Sequence, residues 1–207
     1  MNLLAIETSV AAASLCLYTG KEVVFSTRWE AERNHDAYLF PALSKAFDLL
    51  DAPSDLDYIL VGAGPGSYGG VRVALAAGVG IAAVTNARVV AVESWAQLST
   101  PDSCIIADAR RGGWTVRFPD TSIKILTPEQ VMQLNMPVLS TEKPGVATAC
   151  GITNILAEGL SPTAAGLVRT WLSLSQLEQE ELLSKPAEPI YVRPPHITAS
   201  TRKPWEI

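Results

Sequence analysis

The sequence is poor in the residues that build metal and redox centres. It has 207 residues but only two histidines and three cysteines. A helical metal site wants histidines four apart, and the residue four after His35 is Leu39. Cys16, Cys104 and Cys150 form no C-x-x-C pair, and an odd number cannot all be bridged internally. Each lies in an apolar stretch, where cysteine acts as a small buried hydrophobe, and this usage suits a reducing cytoplasm. Charge is also scarce, at 18% against 48% hydrophobic residues, a balance that excludes disorder. The net charge is −5. Nucleic-acid affinity comes mostly from Lys and Arg neutralising phosphates, so any such role calls for a partner with most of the basic surface. The longest apolar run, residues 73–87, falls short of the roughly 20 residues of a spanning helix. The N-terminus MNLLAIETS lacks the basic and apolar regions of a signal peptide. A cytoplasmic protein with no membrane contact is expected.

What is present reads as alternating strands and helices. Leu3–Ile6, Ala13–Tyr18 and Glu22–Trp29 are short strands with short connections, which predicts an antiparallel meander. A helix follows from Asp36 to about Asp51, with Asn34 or Asp36 as its cap and Pro41 near its first turns. Leu39, Leu43, Phe47 and Leu50 give it an apolar stripe, which Tyr38, Ala42, Ala46 and Leu49 widen. Asp57–Val61 is a fourth strand, residues 70–84 a second helix and Arg88–Val92 a fifth strand. The order β-β-β-α-β-α-β is the half-domain plan of the actin/Hsp70/sugar-kinase superfamily. Residues 103–126 repeat a strand-turn-strand opening, with Gly112-Gly113 at the turn. A short helix capped by Thr127, strands at 138–140 and 146–150, a helix at 153–158 and helical pattern over 163–183 complete the chain. Prolines 186, 189, 194 and 195 then bar regular structure around an extended PIYVR.

Two stretches hold candidate chemistry. GAGPGSYGG (62–70) follows a strand and opens a helix, where backbone N–H groups and the helix dipole favour an anion. It is not a Walker A loop, because no Gly-Lys-Ser/Thr follows. Nor does it follow a βαβ start, as a Rossmann site would. A phosphate cradle and a plain tight turn are both open from the residues. LLAIETS ends the first strand, where Glu7, Thr8 and Ser9 could hold a metal-bound phosphate or simply turn the chain. The phosphate candidates are therefore Glu7, Thr8, Ser9, Gly64, Gly66 and Ser67. In the helix after the glycines, Gly70, Ala74, Gly78 and Ala82 make a ridge at i+4 spacing. Interior glycines cost about 1 kcal/mol each relative to Ala. A closely approaching neighbour would offset that, either this chain's own sheet or another chain. Asp108 with Arg110-Arg111 reads as an ion-pair turn, and Trp95 and Trp114 as core.

LLAIETS, RNHDAYLFPAL, GAGPGSYGGVRV, DARRGGW, ATACGITN and PIYVR occur in this order. Together they resemble the TsaB (YeaZ) family, the small subunit of bacterial tRNA threonylcarbamoyladenosine (t6A) synthesis. The resemblance implies an α/β actin/Hsp70-like ATPase (ASKHA) fold of two lobes, each with a mixed sheet and helices, the second reduced. A division at 1–100 and 101–207 is expected. It implies a non-catalytic subunit, without metal or required cofactor, that pairs through its first two helices with the catalytic subunit TsaD. TsaE and TsaC complete the pathway. The chain alone is expected to be a homodimer and to meet tRNA only through the complex. ATP or ADP with Mg²⁺ has a possible place at the subunit junction. The expected interface is Leu39, Leu43, Phe47, Gly70, Val71, Ala74, Leu75, Gly78 and Ala82. The sequence departs from the resembling families at Glu7, where an Asp is usual in the superfamily, and at Tyr68-Gly69. The competing reading is an ATP-binding or hydrolysing enzyme, or a metallopeptidase relative, acting alone.

Overall fold

The structure is a computed structural model describing residues 1–30 and 35–193. Strands β1 (Asn2–Glu7), β2 (Ala12–Thr19) and β3 (Glu22–Glu30) form an antiparallel meander. The chain then crosses through helix α1 (Asp36–Phe47) to β4 (Tyr58–Gly62), and through α2 (Tyr68–Thr85) to β5 (Arg88–Val92). Both crossovers place parallel strands, giving the order β3-β2-β1-β4-β5. As the central strand, β1 is apolar on both faces. Leu4 and Ile6 face the layer of α1 and α2, while Leu3 and Ala5 face the opposite layer.

The second sheet repeats the plan. β6 (Cys104–Asp108), β7 (Trp114–Arg117) and β8 (Ile123–Leu126) form a meander. Helix α3 (Pro128–Met132) leads to β9 (Val138–Ser140), and α4 (Val146–Ala149) to β10 (Ile155–Ala157). The order is β10-β9-β6-β7-β8, with β9 parallel to β6 and to β10. This is the first sheet's topology in shortened form: α1 and α2 have 12 and 18 residues, α3 and α4 only 5 and 4. Trp95 and Trp114 are buried as expected.

Three local expectations are corrected. The stretch expected to be extended at 146–150 is instead the helix Val146–Ala149, flanked by the left-handed Gly145 and Gly151. Residues 155–157 are the edge strand β10, not a helix. The helical span 163–183 breaks into α5 (Ala164–Ser173) and α6 (Gln176–Ser184). Ser175 there accepts from the Glu178 N–H while Glu178 reaches back to Ser175 N, a capping box that starts a new helix. Cys16 and Cys104 are buried, which pushes each thiol up to about 11. Cys150 is exposed, contrary to expectation. Asn34 lies outside the described residues.

Helix α5 belongs to the second half of the sequence but packs on the first sheet. Ala164, Leu167, Val168 and Trp171 fill one cluster with Leu3, Ala5, Cys16, Leu60, Val90 and Val92, and Ala164 N–H donates to Ser14 Oγ (2.8 Å). The first sheet is thus covered on both faces, by α1 and α2 on one side and by α5 and α6 on the other.

Candidate functional site

The glycine turn and the end of β1 fold flush against each other. Ser67 N–H donates to the Ser9 carbonyl (2.6 Å), and Thr8 Oγ1 donates to the Gly70 carbonyl (2.6 Å). A Cβ at Gly66 would overlap the Ser9 carbonyl oxygen, and one at Gly70 the Thr8 carbonyl oxygen. The glycines therefore serve close backbone approach within the chain. Ser67 is the N-cap of α2 and accepts from Gly70 N–H (3.2 Å), so a protein side chain already occupies that helix end. Gly64 exchanges hydrogen bonds with Ser94, N–H to Oγ at 3.1 Å and carbonyl from Ser94 N–H at 2.9 Å. The six phosphate candidates do come together in space, in a turn held by hydrogen bonds within the chain.

Glu7 is fully buried and its carboxylate lies against Gly62. Oε1 accepts from Ser9 N–H (2.7 Å), whereas Oε2 has no hydrogen-bond partner among the described residues. Desolvation raises its pKa above the ordinary 4.5, partly opposed by the hydrogen bond from the Ser9 N–H. Between pH 4.5 and its raised value the folded state binds more protons at Glu7 than the unfolded state does. The stability Glu7 contributes is thus complete below 4.5 and falls as pH rises to the folded value. Glu7→Gln keeps the acceptor and removes the ionisation. Urea unfolding across pH 5–8 is expected to show the variant gaining on the wild type as pH rises. A constant difference would place the Glu7 carboxylate, ionised, in a solvated site.

The expected interface residues lie on the predicted helices but face inward. Leu39 and Leu43 of α1 are buried in the first core, with Phe47 packed beside them. On α2, Gly70, Val71, Ala74 and Gly78 are buried. A Cβ at Gly78 would lie 2.8 Å from Val61 Cγ1 of β4. The ridge's close neighbour is this chain's own sheet, and Leu75 and Ala82 are half-buried against the same core. The open surface is the opposite face. On α2 it runs through Ala76, Val79, Gly80, Ala83 and Val84, with Val79 58% and Val84 77% exposed. A Cβ at Gly80 would meet nothing. On α1 it includes Tyr38 (51% exposed) and Phe40 (65%). By length and composition α2, with mean hydropathy 1.4, is long and apolar enough to cross a membrane. Its buried face on β4 and β5 is that of a helix packed on a sheet.

One strong polar contact had no signal in the sequence. Arg117 of β7 forms a two-pronged pair with Glu93, just after β5: Nε bonds Oε1, and Nη2 bonds Oε2 at 3.2 Å. Its Nη1 also donates to Ser99 Oγ and to the Phe118 carbonyl. This pair ties the end of the first sheet to the second. The two residues sit in unrelated motifs, so neither spacing nor pattern links them. The Asp108–Arg110 ion pair, by contrast, is local (3.3 Å) and matches its sequence reading.

Comparison with known proteins bears on these elements. The family model of TsaD, tRNA N6-adenosine threonylcarbamoyltransferase, matches residues 28–116. The tRNA threonylcarbamoyladenosine biosynthesis protein TsaB of Bacillus subtilis is 34% identical over 119 residues, covering 54% of this chain and 52% of that protein. The match thus spans about half the length of that relative. YeaZ from Pseudomonas aeruginosa is similar in structure, with a TM-score of 0.71 at 24% identity over 92% of this chain and 99% of that one. A Pseudomonas aeruginosa protein described as similar to peptidase YEAZ has a TM-score of 0.72 at 24% identity, over 93% and 99%. The structural matches establish the fold, a two-lobed mixed α/β architecture shared with YeaZ. The sequence match to TsaB covers about half of each protein, and the likeness to YeaZ is one of fold.

Proposed function

We propose that the chain is a non-catalytic scaffold subunit that pairs with a TsaD-type catalytic protein for N6-threonylcarbamoylation of adenosine in tRNA. TsaE is a further partner, and the chain pairs with itself when alone. The observation that carries this reading is the unpartnered outer face of α1 and α2. Both helices fall inside the stretch matched by the TsaD family model. Their inner sides are filled by the chain's own core, yet Tyr38, Phe40, Val79 and Val84 remain open. An exposed apolar surface on two adjacent elements is the usual mark of a protein interface. Gly80 fits the same reading: among the described residues nothing offsets an interior helix glycine there, whereas a closely crossing partner helix would.

In this reading the 1–100 lobe supplies the interface, and tRNA is reached through the complex. No cofactor is required by the chain itself. Among the described residues no group of three His, Cys, Asp or Glu is placed to hold a metal, and the closed glycine turn disfavours a solitary ATPase. Nucleotide at the subunit junction stays compatible with this role.

The test is co-purification. Val79→Asp with Val84→Asp puts two carboxylates on the outer face and leaves the core alone. The double variant is expected to keep its circular dichroism spectrum and lose both self-association and capture of a TsaD. Retained capture by a folded double variant would move the interface away from α2.

A further inference from the structure

The segment after α6 returns across both lobes and gathers residues from three distant parts of the chain. Ile190 N–H donates to the Ala63 carbonyl beside the glycine turn (2.8 Å). Tyr191 stacks on Tyr68 at the start of α2, with centroids 4.7 Å apart and planes 26° from parallel. The Arg72 guanidinium lies over the Tyr68 ring at 5.4 Å. Two residues beyond Tyr191, Arg193 Nη1 donates to the Arg110 carbonyl in the β6–β7 turn (3.3 Å). We infer that Tyr68, Tyr191, Arg72, Arg110, Arg111 and Arg193 form a binding patch for single-stranded nucleic acid. This goes beyond the pairing reading, in which the partner holds the tRNA.

The chemistry favours a nucleic-acid strand over other anions. The chain carries a net −5, yet four arginines and no lysine are joined here. Arginine suits phosphate by its planar fork and stacks on aromatic faces. Tyr68 and Tyr191 are 44% and 42% exposed, leaving ring surface for a base. Among the described residues, Arg72, Arg111 and Arg193 have no carboxylate at ion-pair distance, while Arg110 is paired with Asp108. Beside Asp108 lies Glu142, whose carboxylate accepts from Asp108 N–H (3.0 Å). The turn itself is unusual: Arg110 and Arg111 have φ of 63° and 55° ahead of Gly112 at 72°. Residues with side chains seldom adopt that backbone region, and such conformations cluster at binding sites. The topological repeat adds meaning: the β6–β7 turn is the second sheet's counterpart of the β1–β2 turn that carries Thr8 and Ser9. A free nucleotide fits less well, because Ile190 and the closed glycine turn leave the patch at the surface.

The full chain is titrated against a fluorescein-labelled twelve-nucleotide single-stranded RNA, with anisotropy read at low and moderate salt. Binding is expected in the range of about 10⁻⁶–10⁻⁴ M, weakening as salt rises. Tyr191→Ala should weaken it by at least about fivefold. Arg111→Ala touches only an exposed side chain, so its fold is secure, and it should lower the salt slope by about 0.7. Capture of a TsaD should be unchanged in Arg111→Ala, which separates this patch from the pairing face. Four results would overturn the proposal: no binding by the wild type, equal binding by both variants, competition by a glutamate dodecapeptide as effective as that of unlabelled RNA, or full displacement by equimolar ATP with Mg²⁺. The peptide result would point to an acidic protein, and the ATP result to a mononucleotide site.

Discussion

Truncating Arg117 to alanine is expected to cost about 3–5 kcal/mol of folding stability, the range for removing one member of a buried ion pair. The side chain of Arg117 is 5% exposed and that of Glu93 19%, so the pair is shielded from both water and salt. Arg117 satisfies three groups at once: the Glu93 carboxylate, the Ser99 hydroxyl and the Phe118 carbonyl. Its removal leaves a carboxylate among protein atoms without its counter-charge, and that residual charge dominates the cost. Arg117→Met combined with Glu93→Gln removes both charges and keeps most of the volume, so it should cost much less than Arg117→Ala alone. The measurement is urea unfolding of the two variants beside the wild type, followed by circular dichroism. A loss under about 1 kcal/mol for Arg117→Ala would put the pair in the class of exposed salt bridges and remove its role as the tie between the sheets.

Gly70→Ala is expected to destabilise the chain by about 3 kcal/mol, the upper end for overpacking. The new methyl group would overlap the Thr8 carbonyl oxygen, a backbone atom with no rotamer to yield. Separating the two segments would also stretch the Thr8–Gly70 hydrogen bond (2.6 Å). Gly80→Ala, ten residues along the same helix, has the opposite expectation. Its methyl group meets nothing, and alanine gains about 1 kcal/mol of helix propensity over glycine. Thermal unfolding of the two variants measures both. A Gly70→Ala chain as stable as the wild type would mean that β1 and the glycine turn stand apart in solution, and the phosphate-cradle reading would reopen. A stabilised Gly80→Ala chain that pairs poorly would mark Gly80 as kept for its partner.

The first lobe was largely legible because its signals are local. Strand alternation, the glycine turn and the small-residue periodicity of α2 each lie within one short window, and β1 to β5 appear where pattern placed them. The second lobe was read less well because its elements are very short. A four-residue helix between two left-handed glycines carries too few residues to show a period. The site shows a different limit. Periodicity found the ridge of Gly70, Ala74 and Gly78, and it correctly required a close neighbour. It could not say whether that neighbour was β4 or another chain, since both present the same apolar chemistry. Burial answers this through Val61 and Val89 against Gly78, which turns attention to the row two residues along, Ala76, Gly80 and Val84. The glycine turn repeats the lesson, because a cradle and a closed turn share the same glycines and differ only in whether Ser9 or a ligand fills the gap. Arg117 with Glu93, and Tyr191 with Tyr68, were invisible for a simpler reason. Each pair joins segments that only the finished fold brings together.

The return of α5 to the first sheet governs the order in which the molecule can be made. Ser14 waits for Ala164, 150 positions later in the chain, and Leu3, Ala5 and Leu60 share their layer with Trp171. On a ribosome, the whole second meander emerges while that face of the first sheet is still bare. Closing so long a loop is slow compared with forming the hairpins inside it. A nascent chain therefore passes through a stage with its first sheet half-covered, which favours sticking to other chains over folding alone. The protein's most vulnerable period lies during synthesis, and it ends when the residues around Trp171 have emerged.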